Sequence, residues 1–243
     1  MKMDTRVFAD IDALSRAALA ELLRVMGEAV RERDQFLIAL SGGHTPEKLY
    51  QSWAESERTN RQTPWEKVHL FWGDERYVSK DDPLSNYRMT REALIAHVPI
   101  PAANVHRMPG SGDFPTAEAA ADAYESELRR FFGSRLPALD LQLLGLGVEG
   151  HTASLFPGSP ALEEQKRWVR SIQAPAKPPE RLTLTPVVLN QGRNTFFLVS
   201  GGEKRDIIRA LRGVSESMPS PYPAGRIRPA SGVVWFLDQA AAS

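Results

Sequence analysis

Short and continuous apolar runs, each closed by glycine, most constrain what this chain can fold into. The runs are "FLIALSGG", "VHLFWGDER" and "LDLQLLGLG". A strand covered on both faces in a parallel sheet has this composition. Apolar residues at three- and four-residue spacing separate the runs and predict helices over residues 11–30, 46–53, 85–96 and 116–132.

The second half of the chain continues the alternation. The segments "RWVRSI", "RLTLTP", "NTFFLVSGG" and "GVVWFLDQA" are typical of strands. Thr185 before Pro186 predicts a short helix to about Gln191, and "GGEKRDIIRALRG" predicts a helix that ends at Gly213. Alternating strands and helices favour an α/β fold with a mainly parallel, doubly wound sheet. With no linker to divide it, we expect one domain over residues 1–243.

Composition excludes several classes of function. The charge is balanced, with 30 basic and 30 acidic residues, so nucleic acid and anionic membranes are not the expected partners. The sequence has no cysteine, which removes disulfides and thiolate catalysis. The N-terminus is not a secretory signal, and no apolar run reaches membrane-spanning length. We therefore expect a soluble cytoplasmic protein.

Polar residues follow the apolar runs at the edge where α/β sheets bind ligands. In Ser41-Gly42-Gly43, glycines let the backbone approach a ligand, and the next helix start attracts anions. Thr45 is the predicted N-cap, with Pro46 as the first helical residue. The alternative is a tight turn without a ligand.

Three further segments carry candidate anion ligands. Arg76, in Gly-Asp-Glu-Arg, suits a bidentate clamp on phosphate or carboxylate, although such a segment is more often a solvated loop. Lys204, in the first turn of a helix, opposes the helix dipole unless an anion binds there. Arg181 opens "RLTLTP" and is either an anion ligand or a solvated arginine. Ser85 is predicted to cap a helix.

The loop "GLGVEGH" contains the spacing of a dinucleotide-binding fingerprint, at Gly145, Gly147 and Gly150. That interpretation fails, because the strand is not the first of the chain, prolines soon interrupt any following helix, and no acidic residue closes the next strand. The histidine after the glycines, His151, lies beyond a buried run. This context favours a functional imidazole over a structural one.

Other chemistries lack their motifs. The sequence has no G-x-S-x-G elbow, no P-loop and no histidine spacing of a zinc site. The remaining histidines at 69, 97 and 106 are interpreted as structural.

Taken together, the motifs "LSGGHTP", "WGDERYV…SNYRM", "LGLGVEGHTASLFPG", "RLTLT" and "SGGEKRDI" resemble the 6-phosphogluconolactonases. The resemblance covers about residues 30–237. It implies a three-layer fold with helices on both sheet faces, like that of sugar-phosphate isomerases. It also implies hydrolysis of 6-phospho-D-glucono-1,5-lactone without cofactor or metal. We expect a monomer or weak homo-oligomer.

Carried over residue by residue, the resemblance makes His151 the general base that takes a proton from the attacking water. The residues that it places at the sugar phosphate are Ser41, Gly42, Gly43, Thr45, Asp74, Arg76, Asn86, Glu149, Arg181 and Lys204. Two positions depart from the family: His44 stands where a small polar residue is common, and Glu149 stands where aspartate is usual.

Two alternatives belong to other functional classes. Glucosamine-6-phosphate deaminases share the fold and have "GHIAFNEP" where this chain has "GHTASLFP". The missing Asn-Glu pair weighs against that activity. A non-catalytic sugar-phosphate binding protein would be expected to lack the imidazole of His151.

Overall fold

The computed structural model describes residues 4–214 and 220–243. Its strands are β1 (Asp4–Phe8), β2 (Phe36–Leu40), β3 (Val68–Trp72), β4 (Asp74–Arg76), β5 (Leu141–Leu144), β6 (Val169–Gln173), β7 (Glu180–Leu184), β8 (Thr195–Val199) and β9 (Val234–Asp238). Its helices are α1 (Ile11–Arg33), α2 (His44–Asn60), α3 (Asn86–Ala93), α4 (Ala117–Phe132), α5 (Pro186–Leu189), α6 (Arg205–Arg212) and α7 (Gln239–Ala242).

Six strands form a wholly parallel sheet in the order β1-β9-β8-β5-β2-β3. Every residue of β2, β5 and β8 is buried. Helices surround the sheet, so its central strands are shielded from water and their apolar runs are continuous rather than alternating. The prediction of a mainly parallel α/β sheet is confirmed.

A second, smaller sheet was not predicted. β4, β7 and β6 form an antiparallel sheet in that order, so "RWVRSI" and "RLTLTP" do not join the parallel sheet. β4 has only three residues and starts two residues after β3 ends. Its partner, β7, lies about a hundred residues further along the chain, and strand propensity does not reveal such non-local pairing.

The sequence analysis also missed β1, which lies at the edge of the parallel sheet beside β9. Its residues are polar in part, and none is fully buried. An edge strand of this kind lacks the apolar run that identified the central strands.

Several helix limits differ from the prediction. α2 extends over His44–Asn60, well beyond residues 46–53, because its buried face continues to Glu57. Thr45 is not the N-cap, and that prediction was wrong: Gly43 occupies the cap position, and the Thr45 hydroxyl instead lies 2.7 Å from the Ser200 hydroxyl. Ser85 does cap α3, accepting a hydrogen bond from the Arg88 amide at 3.1 Å.

Nearly all of the described buried apolar side chains form one cluster that extends from α1 to α7. Trp53, Trp72 and Trp235 are among its largest fully buried members. A continuous core is what a one-domain chain requires, while the boundaries 1–243 stay a prediction. The core fixes the parallel strands, whose carboxyl ends carry the candidate site.

Candidate active site

A cavity of about 390 Å³ lies at the carboxyl ends of β2, β5 and β8. The small antiparallel sheet contributes one of its walls. The predicted residues that line it are Ser41, Gly42, Gly43, Thr45, Asp74, Arg76, Asn86, His151, Arg181 and Lys204. The structure therefore brings together every predicted site residue except Glu149, whose position behind His151 is described below.

The first Ser-Gly-Gly turn connects β2 to α2 and is fixed by hydrogen bonds to the side chain of Tyr50. The Tyr50 hydroxyl donates to the Ser41 carbonyl and accepts from the Ser41 amide, both at 2.9 Å. Gly42 packs against Asn86 so closely that a Cβ there would lie 1.9 Å from Oδ1 of Asn86. No side chain in the described part of the chain caps α2. The start of this helix therefore offers uncapped amides, and its positive dipole end, at the cavity wall.

Arg76 and Arg181 face each other across the antiparallel pair of β4 and β7. Among the described residues, no carboxylate forms an ion pair with either arginine. Arg181 is only 6 % exposed, and its Nε donates to the Pro178 carbonyl at 3.2 Å. Buried Nε of Arg76 has no hydrogen-bond partner in the described part of the chain.

Such an arrangement is costly without an anion. Like charges directly opposite each other destabilise a sheet. Burial, and then the neighbouring charge of Arg76, lower the pKa of Arg181. A bound anionic group would relieve both effects and accept the free N–H groups.

Lys204 approaches the cavity from the second Ser-Gly-Gly turn, after β8. The Gly201 amide donates to the carboxylate of Asp238 at 3.1–3.2 Å, which fixes this turn to the end of β9. Lys204 ends a short 3₁₀ turn before α6 and has no ion-pair partner among the described residues. Arg76, Arg181 and Lys204 are called the cationic cluster below.

A further wall of the cavity is the imidazole loop, defined as residues 145–156. Its backbone folds on itself: the Gly147 amide donates to the His151 carbonyl at 2.9 Å, and the Gly150 amide to the Gly147 carbonyl at 3.0 Å. A Cβ on Gly147 would lie 1.9 Å from Nδ1 of His151. Glycine is required at 147 because the imidazole packs on that backbone. Ala153 has a φ of 46°, a strained value for a residue with a side chain.

The environment of His151 favours the neutral imidazole. Desolvation lowers its pKa, and nearby Arg181 adds to that effect, while Glu149 and Asp74 oppose it. The ring also lies 4.3 Å, between centroids, from the ring of Phe156. At neutral pH the imidazole therefore retains a free lone pair for accepting a proton.

Glu149 lies behind the imidazole and does not line the cavity. Its Oε1 is 3.0 Å from Nδ1 of His151, although the two groups are not aligned as a hydrogen bond. A carboxylate at that distance favours the tautomer with the proton on Nδ1. Nε2 is then the nitrogen that can accept a proton.

Asp74 is buried at the junction between the two walls. Its carboxylate accepts a hydrogen bond from the Ser154 hydroxyl at 2.7 Å, and its carbonyl accepts one from Nδ2 of Asn86 at 2.9 Å. Asp74 thereby connects the imidazole loop, which contains Ser154, to the start of α3, which begins with Asn86.

The sequence analysis did not assign several other residues of the cavity wall. Among them, Ser200 and Gly201 repeat the Ser-Gly-Gly pattern of the first turn, which was a usable signal. Glu203 and Ala153 carried none. In the described part of the chain, no cluster of three or more histidine, aspartate or glutamate residues is arranged to hold a metal ion. No described helix is long and apolar enough to cross a membrane.

Comparisons with known proteins agree with this geometry. The family model described as "Glucosamine-6-phosphate isomerases/6-phosphogluconolactonase" matches residues 9–236. The chain belongs to this family. A 6-phosphogluconolactonase from Synechocystis is 44 % identical over 94 % of this chain and 92 % of its own length. One from Mycobacterium tuberculosis is 41 % identical over 100 % and 98 %.

The crystal structure of 6-phosphogluconolactonase from Thermotoga maritima superimposes with a TM-score of 0.83 and 30 % identity, covering 98 % of this chain and 100 % of that one. The resemblance stated from the motifs is confirmed, and so is the prediction that the chain is an enzyme of the 6-phosphogluconolactonase type. The fold expected from the resemblance is confirmed as well.

Proposed function

We propose that this chain hydrolyses 6-phospho-D-glucono-1,5-lactone to 6-phospho-D-gluconate, with His151 as general base. One observation carries the proposal: a desolvated imidazole shares a cavity with three cationic side chains that form no ion pair with a carboxylate among the described residues. The imidazole suits activation of water, and the cations suit a phosphorylated substrate. The lactonase names of the relatives supply the substrate.

In the proposed reaction, a water molecule attacks the lactone carbonyl carbon while Nε2 of His151 takes its proton. The tetrahedral oxyanion is stabilised by backbone amides or a nearby cation. When the bond from this carbon to the ring oxygen breaks, the imidazolium returns the proton to the leaving oxygen. No covalent intermediate is needed, because a lactone is an activated ester.

The phosphate is held away from the reacting carbon. The cationic cluster and the amides of the first Ser-Gly-Gly turn bind it, and this anchoring positions the carbonyl against the attacking water. Glu149 acts through His151, by maintaining the proton on Nδ1. Asp74 and Asn86 complete the wall between the two parts of the cavity.

A comparison of two activities tests the proposal. Freshly prepared lactone, followed by acid release in a pH-stat, should be hydrolysed far faster with the enzyme than without it. Glucosamine 6-phosphate should release no ammonia. Hydrolysis at only the spontaneous rate would overturn the proposal. Ammonia release would favour the deaminase, and binding of 6-phosphogluconate without turnover would favour a sugar-phosphate binding protein. The cytoplasmic location and the monomeric or weakly associated state stay predictions.

A further inference from the structure

Glu75 lies between two residues of the cavity wall but does not itself line the cavity. It is the middle residue of β4, flanked by Asp74 and Arg76. Successive side chains of a strand point to opposite faces, so the Glu75 carboxylate projects away from the cavity into the protein. Its residue is 3 % exposed.

Four donors converge on this buried carboxylate. Oε1 accepts from the backbone amides of Arg76 and Asn86, both at 2.7 Å. Oε2 accepts from the Tyr87 amide at 2.8 Å and from the Ser85 hydroxyl at 3.0 Å. All four partners donate, so the group is bonded as a carboxylate and both of its oxygens are satisfied.

These bonds connect β4 to the first turn of α3. Asn86 and Tyr87 are the first two residues of that helix, whose amides have no partner within it. A negative charge there is also favoured by the helix dipole. Through this one carboxylate, the backbone of Arg76 on the strand and that of Asn86 on the helix are fixed relative to each other.

Both fixed residues line the cavity. The side chain of Asn86 contacts the turn at Gly42 and donates to the Asp74 carbonyl. Arg76 belongs to the cationic cluster. His151, by contrast, stands on a separate loop that has no hydrogen bond to Glu75.

We propose that Glu75 is a positioning residue for substrate binding, which holds Arg76 and Asn86 in the arrangement that receives the phosphorylated lactone. This inference rests on the proposed function. Because the hydrogen bonds of Glu75 reach Arg76 and Asn86 directly and none reaches the imidazole loop, its loss should raise KM and leave kcat nearly unchanged.

The ionised form of Glu75 is the one that accepts all four hydrogen bonds. Burial, followed by the nearby charge of Asp74, raises its pKa to about 7, while the backbone hydrogen bonds oppose the rise. Arg107 and Arg181 are the cationic groups near it. Because the folded-state pKa is raised, protonation as the pH falls below about 7 should loosen the wall and raise KM.

The test compares Glu75→Gln with Glu125→Gln. Glu125 is the control: it is 6 % exposed, accepts from the amides of Trp168 and Val169, pairs with Arg129 and Arg167, and does not line the cavity. Glutamine keeps the shape of the side chain but places an NH₂ group against two of the donors. KM and kcat for the lactone, and Tm, are measured for both variants and for the unmodified enzyme from pH 6 to 8.

In Glu75→Gln, KM should rise about tenfold at pH 7.5 with kcat within about twofold. KM of the unmodified enzyme should increase towards pH 6 more steeply than KM of Glu75→Gln. The Tm of Glu125→Gln should fall. Its KM, its kcat and their pH dependence should equal those of the unmodified enzyme, because any pH dependence that comes from the substrate phosphate is common to both.

Unchanged KM in folded Glu75→Gln, or a loss confined to kcat, would overturn the proposal. If Glu75→Gln does not fold, Glu75→Asp replaces it, with a smaller rise in KM expected and an unchanged KM again contradicting the inference. Calorimetric binding of 6-phosphogluconate gives a readout without turnover. An unmodified enzyme that binds this product but does not hydrolyse the lactone would contradict the proposed function and leave the Glu75 comparison intact.

Discussion

The imidazole loop and the cationic cluster face the same cavity but are built in opposite ways. The loop is irregular and glycine-rich, and its environment suppresses a positive charge on His151. Two cations of the cluster lie on paired strands, and no described carboxylate forms an ion pair with either of them. One wall is therefore suited to moving a proton and the other to holding an anion. Substitutions on the two walls should separate kcat from KM.

The largest effect is expected on the imidazole loop, from His151→Ala. Loss of the general base should reduce kcat by about 10²–10⁴-fold, while KM changes little because the phosphate contacts remain. His97→Ala, which removes an exposed histidine outside the cavity, is the control. Turnover close to that of the unmodified enzyme would contradict the assignment of His151.

Arg181→Ala tests the buried member of the cationic cluster. KM should rise about 10- to 100-fold with kcat much less affected, because a charged phosphate contact is lost. Tm should be unchanged or higher, since the variant removes a buried charge that lies opposite Arg76 and forms no ion pair among the described residues. Arg170→Ala, on the neighbouring strand and paired with Glu164 at 3.5 Å, should leave KM unchanged. A fall in kcat with unchanged KM would indicate that Arg181 contributes to the chemical step and not to substrate binding.

Lys204→Ala should show the same pattern as Arg181→Ala, with a smaller effect. Lys204 is only partly buried, so a rise in KM of about five- to tenfold is expected. Arg205→Ala changes the adjacent exposed cation, which does not line the cavity, and serves as the control. Equal KM values for the two variants would remove Lys204 from the phosphate site.

Glu149→Gln is expected to have the smallest effect. It tests how the imidazole loop controls the protonation of His151. Glu149 raises the pKa of His151, so its neutralisation should move the acid limb of kcat to lower pH. The plateau of kcat should fall by about two- to fivefold because the nearby carboxylate that favours the proton on Nδ1 is neutralised. An unchanged pH profile would mean that Glu149 only closes the loop.

The features that the sequence predicted are those with a local signal. The buried runs of β2 and β8 identified the parallel sheet, and residues following such runs were correctly expected at one edge. His151 was distinguished by the glycines before it, and the structure supplies the reason at Gly147, whose backbone the imidazole covers.

The features that escaped prediction depend on non-local contacts. The pairing of Arg76 with Arg181 follows from strand register over more than a hundred residues. The residue types alone did not distinguish Glu75 from Asp74 in a polar segment that also fitted a solvated loop, although the Asp74 residue lines the cavity and the Glu75 carboxylate is enclosed. Thr45 is of a residue type that often caps helices, but its hydroxyl is hydrogen-bonded to the hydroxyl of Ser200, which follows β8.

The central claim, that neutral His151 accepts the proton of the attacking water, is tested most directly by the pH dependence of kcat at saturating lactone. At saturating lactone, the effect of Glu75 on KM does not influence the measured rate. Below about pH 6.5 the unfolded chain binds a proton at His151 more readily than the folded chain does, so the free energy of unfolding falls as the pH falls. The measured kcat is therefore corrected for the fraction of folded enzyme. We predict a constant kcat above pH 6.5 and a decline with a midpoint below that value. A kcat that stays constant or increases down to pH 5 would contradict the account.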